Sequence, residues 1–153
     1  MRARQLAPDD GGQSGWRVSR IEVGRPADDR QKRGSIINIG SMSGRIVNWP
    51  FRHAAYNVSK AGVHMLTKCL VTEWAEHNIR VNAIAPGYIL TELTGEVLRE
   101  HPTVVSEHWA KGAVQNRIGG VEELAGAAVY LASDAASLMT GEILTIDGGP
   151  TLR

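Results

Sequence analysis

Three short apolar runs, each closed by a glycine or a serine, frame this chain: "SIINIGS" (Ser35 to Ser41), "IRVNAIAPG" (Ile79 to Gly87) and "GEILTIDGG" (Gly141 to Gly149). A short, branched, apolar run bounded by turn formers reads as a strand buried on both faces. Segments of helical periodicity separate the runs, and no hairpin signal occurs between them. Strand, helix, strand, helix, strand in that order implies parallel strands joined by right-handed crossovers. The chain therefore reads as α/β.

The first helix is expected from Ala54 to His77. Val63, Leu66, Leu70 and Trp74 form one apolar stripe on it, and Ala61, Met65 and Cys69 form a second. A helix apolar on two faces is buried on both, in its own core or against another subunit. Cys69 sits among apolar neighbours and reads as core rather than nucleophile. Residues 90–117 read as a helical, amphipathic excursion. Val121 to Ser133 reads as a small-residue helix suited to close packing on a sheet.

Residues 1–33 have a different texture. They carry eight Lys/Arg against five Asp/Glu, few strong apolar residues and no steady period, so they read as irregular or disordered, apart from a folded segment 34–153. They lack the apolar stretch of a secretory signal. A net charge of +1 for the whole chain points neither to nucleic acid nor to a membrane surface. No apolar run approaches the roughly 20 residues of a membrane span. The single cysteine excludes an internal disulfide framework and fits a reducing compartment, the cytoplasm.

"YNVSK" opens the first helix and places Tyr56 and Lys60 four positions apart, on one helical face. A free tyrosine is a poor acid or base at neutral pH. An ammonium about 4 Å away favours a phenolate by up to roughly 4 kcal/mol at an effective dielectric of about 20. The pair is thus suited to general acid–base chemistry. The five histidines (His53, His64, His77, His101 and His108) show no metal-ligand spacing, and no catalytic metal is expected. Asp147, before a glycine pair, reads as a turn former.

Taken in order, "INIGSMSG", "YNVSK", "IRVNAIAPGYILTEL" and "TGEILTIDGG" resemble the C-terminal half of the short-chain dehydrogenase/reductase family, over about Gly34 to Leu152. "GSMSGRIVN" and "VNAIAPGYILTELT" look closest to its polyol and sugar-alcohol dehydrogenase branch. The resemblance implies the last three strands, with their helices, of a Rossmann-like doubly wound parallel sheet. It implies a secondary alcohol or ketone as substrate, and NAD or NADP as cofactor. Tyr56 takes the family's general acid–base role, and Lys60 assists it and holds the nicotinamide ribose. A serine at the end of the preceding strand steadies charge on the substrate oxygen. Ser43 lies thirteen residues before Tyr56, the commoner family spacing. Ser41 fits the alignment of "INIGS" and is preferred because it ends the strand. Pro86, Gly87, Ile89 and Thr91 match positions beside the nicotinamide and its phosphates. The family's homo-oligomers, dimers or tetramers, are the implied assembly.

The family's glycine-rich turn, which sets the cofactor pyrophosphate at a helix N-terminus, has no match. Its N-A-G stretch is absent too. The expectation is an N-terminal half missing through truncation or a misplaced start. Two functions follow: an oxidoreductase whose remaining half lies elsewhere, or an inactive fragment that at most associates with intact relatives through the first helix.

Overall fold

A computed structural model of the chain describes residues 33–51 and 53–152. The expected irregular segment 1–33 lies outside them except for Arg33. Three strands, β1 (Gly34–Ile39), β2 (Ile79–Pro86) and β3 (Ile143–Ile146), form one sheet in the order β1-β2-β3. Both pairings are parallel, with Gly34 opposite Ile79 and Ala83 opposite Ile143 at their starts. The architecture is the partial Rossmann-like α/β sheet expected. β2 is central and Val81–Ala85 is buried throughout, which suits its small and β-branched residues. β1 and β3 are the outer strands among the described residues.

The strands are shorter than the apolar runs. β1 stops at Ile39, before Ser41. β3 keeps only four residues. Gly141 on one side, and Gly148 and Gly149 on the other, take positive φ angles that leave the extended region.

Helix α1 (Ala54–Trp74) runs into a 3₁₀ turn at Ala75–His77. Asn78, left-handed at φ 55°, closes that turn and feeds the chain into β2. The expected helix Ala54–His77 is therefore α-helical for most of its length and tighter at its end. Its buried face is His64, Thr67 and Leu70. Thr67 Oγ1 accepts from Asn38 Nδ2 at 2.9 Å and donates to the Val63 carbonyl, which couples the helix to β1.

This arrangement corrects the reading of Cys69 as core. The stripe Ala61, Met65 and Cys69 is exposed on the single chain, so Cys69 is a surface thiol, and of the two burials expected for the stripe only that against another subunit stands. The sheet covers a single arc of α1, and that arc centres on His64 and Thr67, two polar residues that an apolar stripe does not count.

Residues 90–117 form α2 (Glu92–Glu100), the short α3 (Pro102–Val104) and a π-helical turn at Val105–Ala110, and then continue as turns. The helical excursion thus ends at Ala110. Helix α4 (Glu122–Ala132) buries Leu131 completely, and the Leu131 carbonyl accepts from Ser35 Oγ of β1 at 2.8 Å. No helix among the described residues is long and apolar enough to cross a membrane.

Candidate active site

Parallel strands put all three C-terminal ends on one edge, where open α/β sheets bind ligands. Three loops meet that edge: the turn after β1 with the two serines, the segment 87–91 after β2, and the glycine turn after β3.

Ser41 lies two residues beyond β1 and caps a 3₁₀ turn at Met42–Gly44. The strand therefore does not end on Ser41 as expected. The cap holds it instead. Its Oγ accepts from Ser43 N–H and donates to Ser43 Oγ, both at 3.1 Å. Both serines are buried. The two candidates form one hydroxyl pair.

Tyr56 stands in the first turn of α1, 47% exposed. Lys60 follows one turn later, with Nζ 5.5 Å from the Tyr56 ring centre and donating to the Ile39 carbonyl at 3.0 Å. Asn57 Nδ2 donates to the Ile46 carbonyl at 2.6 Å, which fastens the start of α1 to the loop after the serines. Ser59 Oγ donates to the Tyr56 carbonyl inside the helix, so this serine of the motif is spent locally.

Pro86 ends β2, and Gly87 N–H donates to the Ile146 carbonyl at 2.9 Å. A Cβ on Gly87 would sit 2.6 Å from Asp147 Cα, so the two turns approach too closely for any side chain. Asp147 is the expected turn former. Its carboxylate accepts from Gly149 N–H, Thr151 N–H and Thr151 Oγ1. Burial alone would raise its pKa, but these hydrogen bonds hold it below the ordinary carboxylate value.

Ile89 pairs with Gly119 as an isolated parallel bridge. Gly119 N–H donates to the Tyr88 carbonyl, and Leu90 N–H donates to the Gly119 carbonyl. Arg117 grips Glu123 through two hydrogen bonds of 2.7 Å, and Gly120 N–H joins them, so the strip facing Ile89 is fixed to the start of α4. Thr91 is the N-cap of α2, closed with Thr94 in a reciprocal capping box.

A cleft of about 220 Å³ opens among Met42, Asn48, Trp49, Tyr88, His108 and Pro150. Tyr88 stacks on Trp109 at 4.4 Å, and Phe51 meets Trp109 edge-on. Burial raises the Tyr88 pKa against the opposing effect of its 3.4 Å hydrogen bond from Asn48 Nδ2. Asn48 Oδ1 is buried without a partner. Sequence reasoning missed this group. Its members come from four distant segments; Met42, Asn48 and Tyr88 lie within the quoted motifs, but nothing in those motifs says that they meet His108.

The chain is similar to several known proteins. The family model described as Enoyl-(Acyl carrier protein) reductase matches residues 23–151, starting eleven residues before Gly34. Galactitol 2-dehydrogenase of Rhizobium johnstonii is 51% identical over 120 residues, covering 78% of this chain and 46% of that protein. The ribulose-forming D-arabinitol 2-dehydrogenase of Scheffersomyces stipitis is 49% identical over 126 residues, covering 82% and 45%. The solved structure of a gluconate 5-dehydrogenase from Burkholderia cenocepacia J2315, in complex with NADP and tartrate, superposes with a TM-score of 0.73 at 37% identity, covering 80% and 46%. The fold is a partial Rossmann-like parallel α/β sheet, shared with that structure. The chain belongs to the short-chain dehydrogenase/reductase family, and it spans about half the length of the curated relatives it matches.

Proposed function

We propose that this chain carries the catalytic end of a dehydrogenase that interconverts a secondary alcohol of the polyol class and its ketone. The observation that supports this most is the meeting of two elements at one sheet edge. The Ser41–Ser43 hydroxyl pair follows β1, and Lys60, beside Tyr56, is bonded to the last carbonyl of that same strand. The names of the galactitol and D-arabinitol relatives support the polyol class.

In the direction of oxidation, Tyr56 takes the proton from the substrate hydroxyl, with Lys60 supplying the adjacent positive charge. Ser41, its hydroxyl turning from Ser43 Oγ to the substrate, donates to the same oxygen as charge develops there. NAD or NADP, when bound, would supply the hydride acceptor for this oxidation. Lys60, Pro86, Gly87, Ile89 and Thr91 would hold its nicotinamide end. The fit is good there, because Lys60 Nζ has donors beyond the one given to Ile39 and the segment 87–91 is pinned on both sides. No glycine-rich turn for the pyrophosphate occurs among the described residues. Substrate hydroxyls next to the reacting one would meet the cleft lined by Asn48 and Tyr88.

The test is nicotinamide reduction on a panel of polyols, hydroxysteroids and acyl-carrier β-hydroxyesters. It is run with the chain alone and with the chain joined to the remaining segment of the Rhizobium relative. Galactitol or a pentitol should be preferred. Preference for a steroid or an acyl carrier would overturn the substrate class, and inactivity of the joined protein on every substrate would overturn the catalytic reading.

One observation favours a second reading, in which the chain associates with copies of itself or with intact relatives. Val58 and Met65, two turns apart on α1, are 60% and 59% exposed. Homo-oligomer formation would cover them.

A further inference from the structure

We infer that His64 is a positioning residue: its imidazole ring is the spacer that sets the Ser41–Ser43 turn at its working distance from the helix bearing Tyr56 and Lys60. The inference rests on the reading of those residues as the catalytic set, but it concerns a contact that can be measured without turnover.

The geometry carries it. His64 lies one helical turn after Lys60 on the buried face of α1 and is 8% exposed. Its ring is wedged against glycines at both ends of the serine turn. A Cβ on Gly40 would lie 2.5 Å from His64 Nε2, and a Cβ on Gly44 would lie 2.6 Å from Cε1. Neither glycine has a positive φ, so their backbone conformation does not demand glycine. The space does. The turn thus has a bare backbone where it meets the helix, and the ring fills the gap. Gly44 also approaches the Lys60 backbone, so the seat of the turn includes the residue that faces Tyr56.

The charges around the ring keep it neutral. Burial disfavours the imidazolium first, followed by Arg45 from the loop after the turn and by Lys68 and Lys60 on the ring's own helix. The groups from β1 and β2 that reach the site, around Gly40 and the Ile84 carbonyl, bring no acid. The carbonyl is already taken by Gly40 N–H at 2.8 Å. His64 Nε2 itself has no hydrogen-bond partner. A buried polar atom without a partner is a cost that leucine would avoid. The shape of the ring, matched by two glycines, accounts for the fit. A proton on it would be an uncompensated buried charge among three cations, directly beneath the serines.

The experiment is amide hydrogen exchange on the full chain, comparing Ser43 and Gly44, whose N–H groups bond to Ser41, with Val81 to Ala85 of β2. His64→Ala should lower protection in the turn by at least about tenfold relative to β2, as local opening does. His64→Leu, which refills the volume and cannot titrate, should restore it. Gly40→Ala should disturb the turn in the natural background and be tolerated together with His64→Ala, because the imidazole is the near neighbour its methyl would strike. Below the ordinary histidine pKa the natural chain should lose turn protection faster than His64→Leu. Equal loss of protection across the turn and β2 would make His64 a general packing residue and overturn the proposal. So would failure of His64→Ala to rescue Gly40→Ala. Because no turnover is read, these outcomes are separate from failure of the dehydrogenase reading itself.

Discussion

Lys60 Nζ donates a hydrogen bond to the carbonyl of Ile39 at 3.0 Å, joining the first turns of α1 to the last residue of β1. One ammonium proton is thereby committed to the scaffold, leaving two for a ribose hydroxyl or a phenolate. The bond also fixes where the positive charge stands relative to Tyr56. Replacing Lys60 by methionine should therefore lower turnover and cofactor binding together. Tyr56→Phe leaves Lys60 in place, and should lower kcat by roughly 10²- to 10⁴-fold, the usual scale of a lost general acid–base group, with cofactor affinity little changed. Steady-state kinetics and cofactor titration of both variants, in the joined protein, check this. Tyr56→Phe within tenfold of the natural rate would remove the catalytic assignment.

The serine pair calls for a side-by-side comparison. Ser41 caps the 3₁₀ turn and Ser43 accepts its proton, so removing either disturbs both hydroxyls. Ser41→Ala should cost about 10²-fold or more in kcat, the scale of a missing donor to a developing oxyanion. Ser43→Ala should cost less, because Ser41 keeps its own hydroxyl. The reverse order would move the substrate contact to Ser43.

Legibility in the sequence followed the range of the interactions. β1 and β2 were visible as apolar runs because a strand covered on both faces needs little else to declare itself. Tyr56 and Lys60 were visible because helix geometry alone makes residues four apart neighbours. Cys69 was misjudged because periodicity finds apolar stripes without saying which arc of a helix the sheet will cover. The arc chosen holds His64 and Thr67, and their burial depends on Gly40, Gly44 and Asn38 far away in the chain. The cleft of Asn48, Tyr88 and His108 was invisible for the same reason. The π-helical turn at Val105–Ala110 has no local signature, and it is there that Trp109 comes to lie against Tyr88.

Glu123 gives a test that needs no activity. Its side-chain bond to Arg117, with the Gly120 N–H, lowers its pKa from 4.5 to about 2. The sign follows from the depressed folded value: the stabilisation is present above the ordinary carboxylate pKa and is lost as pH falls from there toward 2. A carboxylate titration followed by NMR should find Glu123 the outlier. In Arg117→Ala it should return most of the way to its ordinary value. Fraying of the Tyr88–Leu90 pairing with Gly119 should accompany that return. A normal Glu123 titration in the natural chain would show the clamp to be open in solution.

Asn82 is fully buried in the middle of β2. Its Nδ2 donates to the Met139 carbonyl at 2.8 Å and its Oδ1 accepts from Glu142 N–H at 3.0 Å, so one side chain spans the entry to β3. Asn82→Ala would orphan the Glu142 N–H and leave the Met139 carbonyl only a long contact from Arg80. The expected cost is about 2–4 kcal/mol, read as a lower midpoint in urea unfolding. That is a large share of a domain stability of roughly 5–15 kcal/mol. A shift under about 0.5 kcal/mol, the range of an inconsequential surface change, would mean that water or backbone adjustment replaces both bonds.

The exposed stripe of α1 makes the final prediction. Val58 and Met65 stand two helical turns apart on one face, with Ala61 and Gly62 between them, so a partner could approach closely along the whole stripe. Burying roughly 300 Å² of apolar surface per chain would contribute about 7.5 kcal/mol for each partner at about 25 cal/mol per Å², before the cost of association is subtracted. Sedimentation of the chain should show dimers or larger species, and Met65→Glu should move the distribution toward monomer by placing a charge in the centre of the contact. Leu138 supplies the control. It is 98% exposed but lies off α1, so Leu138→Glu should leave the distribution unchanged. If both substitutions dissociate the assembly equally, association proceeds through general stickiness rather than through α1. If neither does, the edge of β1, an outer strand among the described residues and with Ile39 exposed at its end, becomes the surface to test, since unpaired strand edges recruit other chains through their backbone whatever the helix carries.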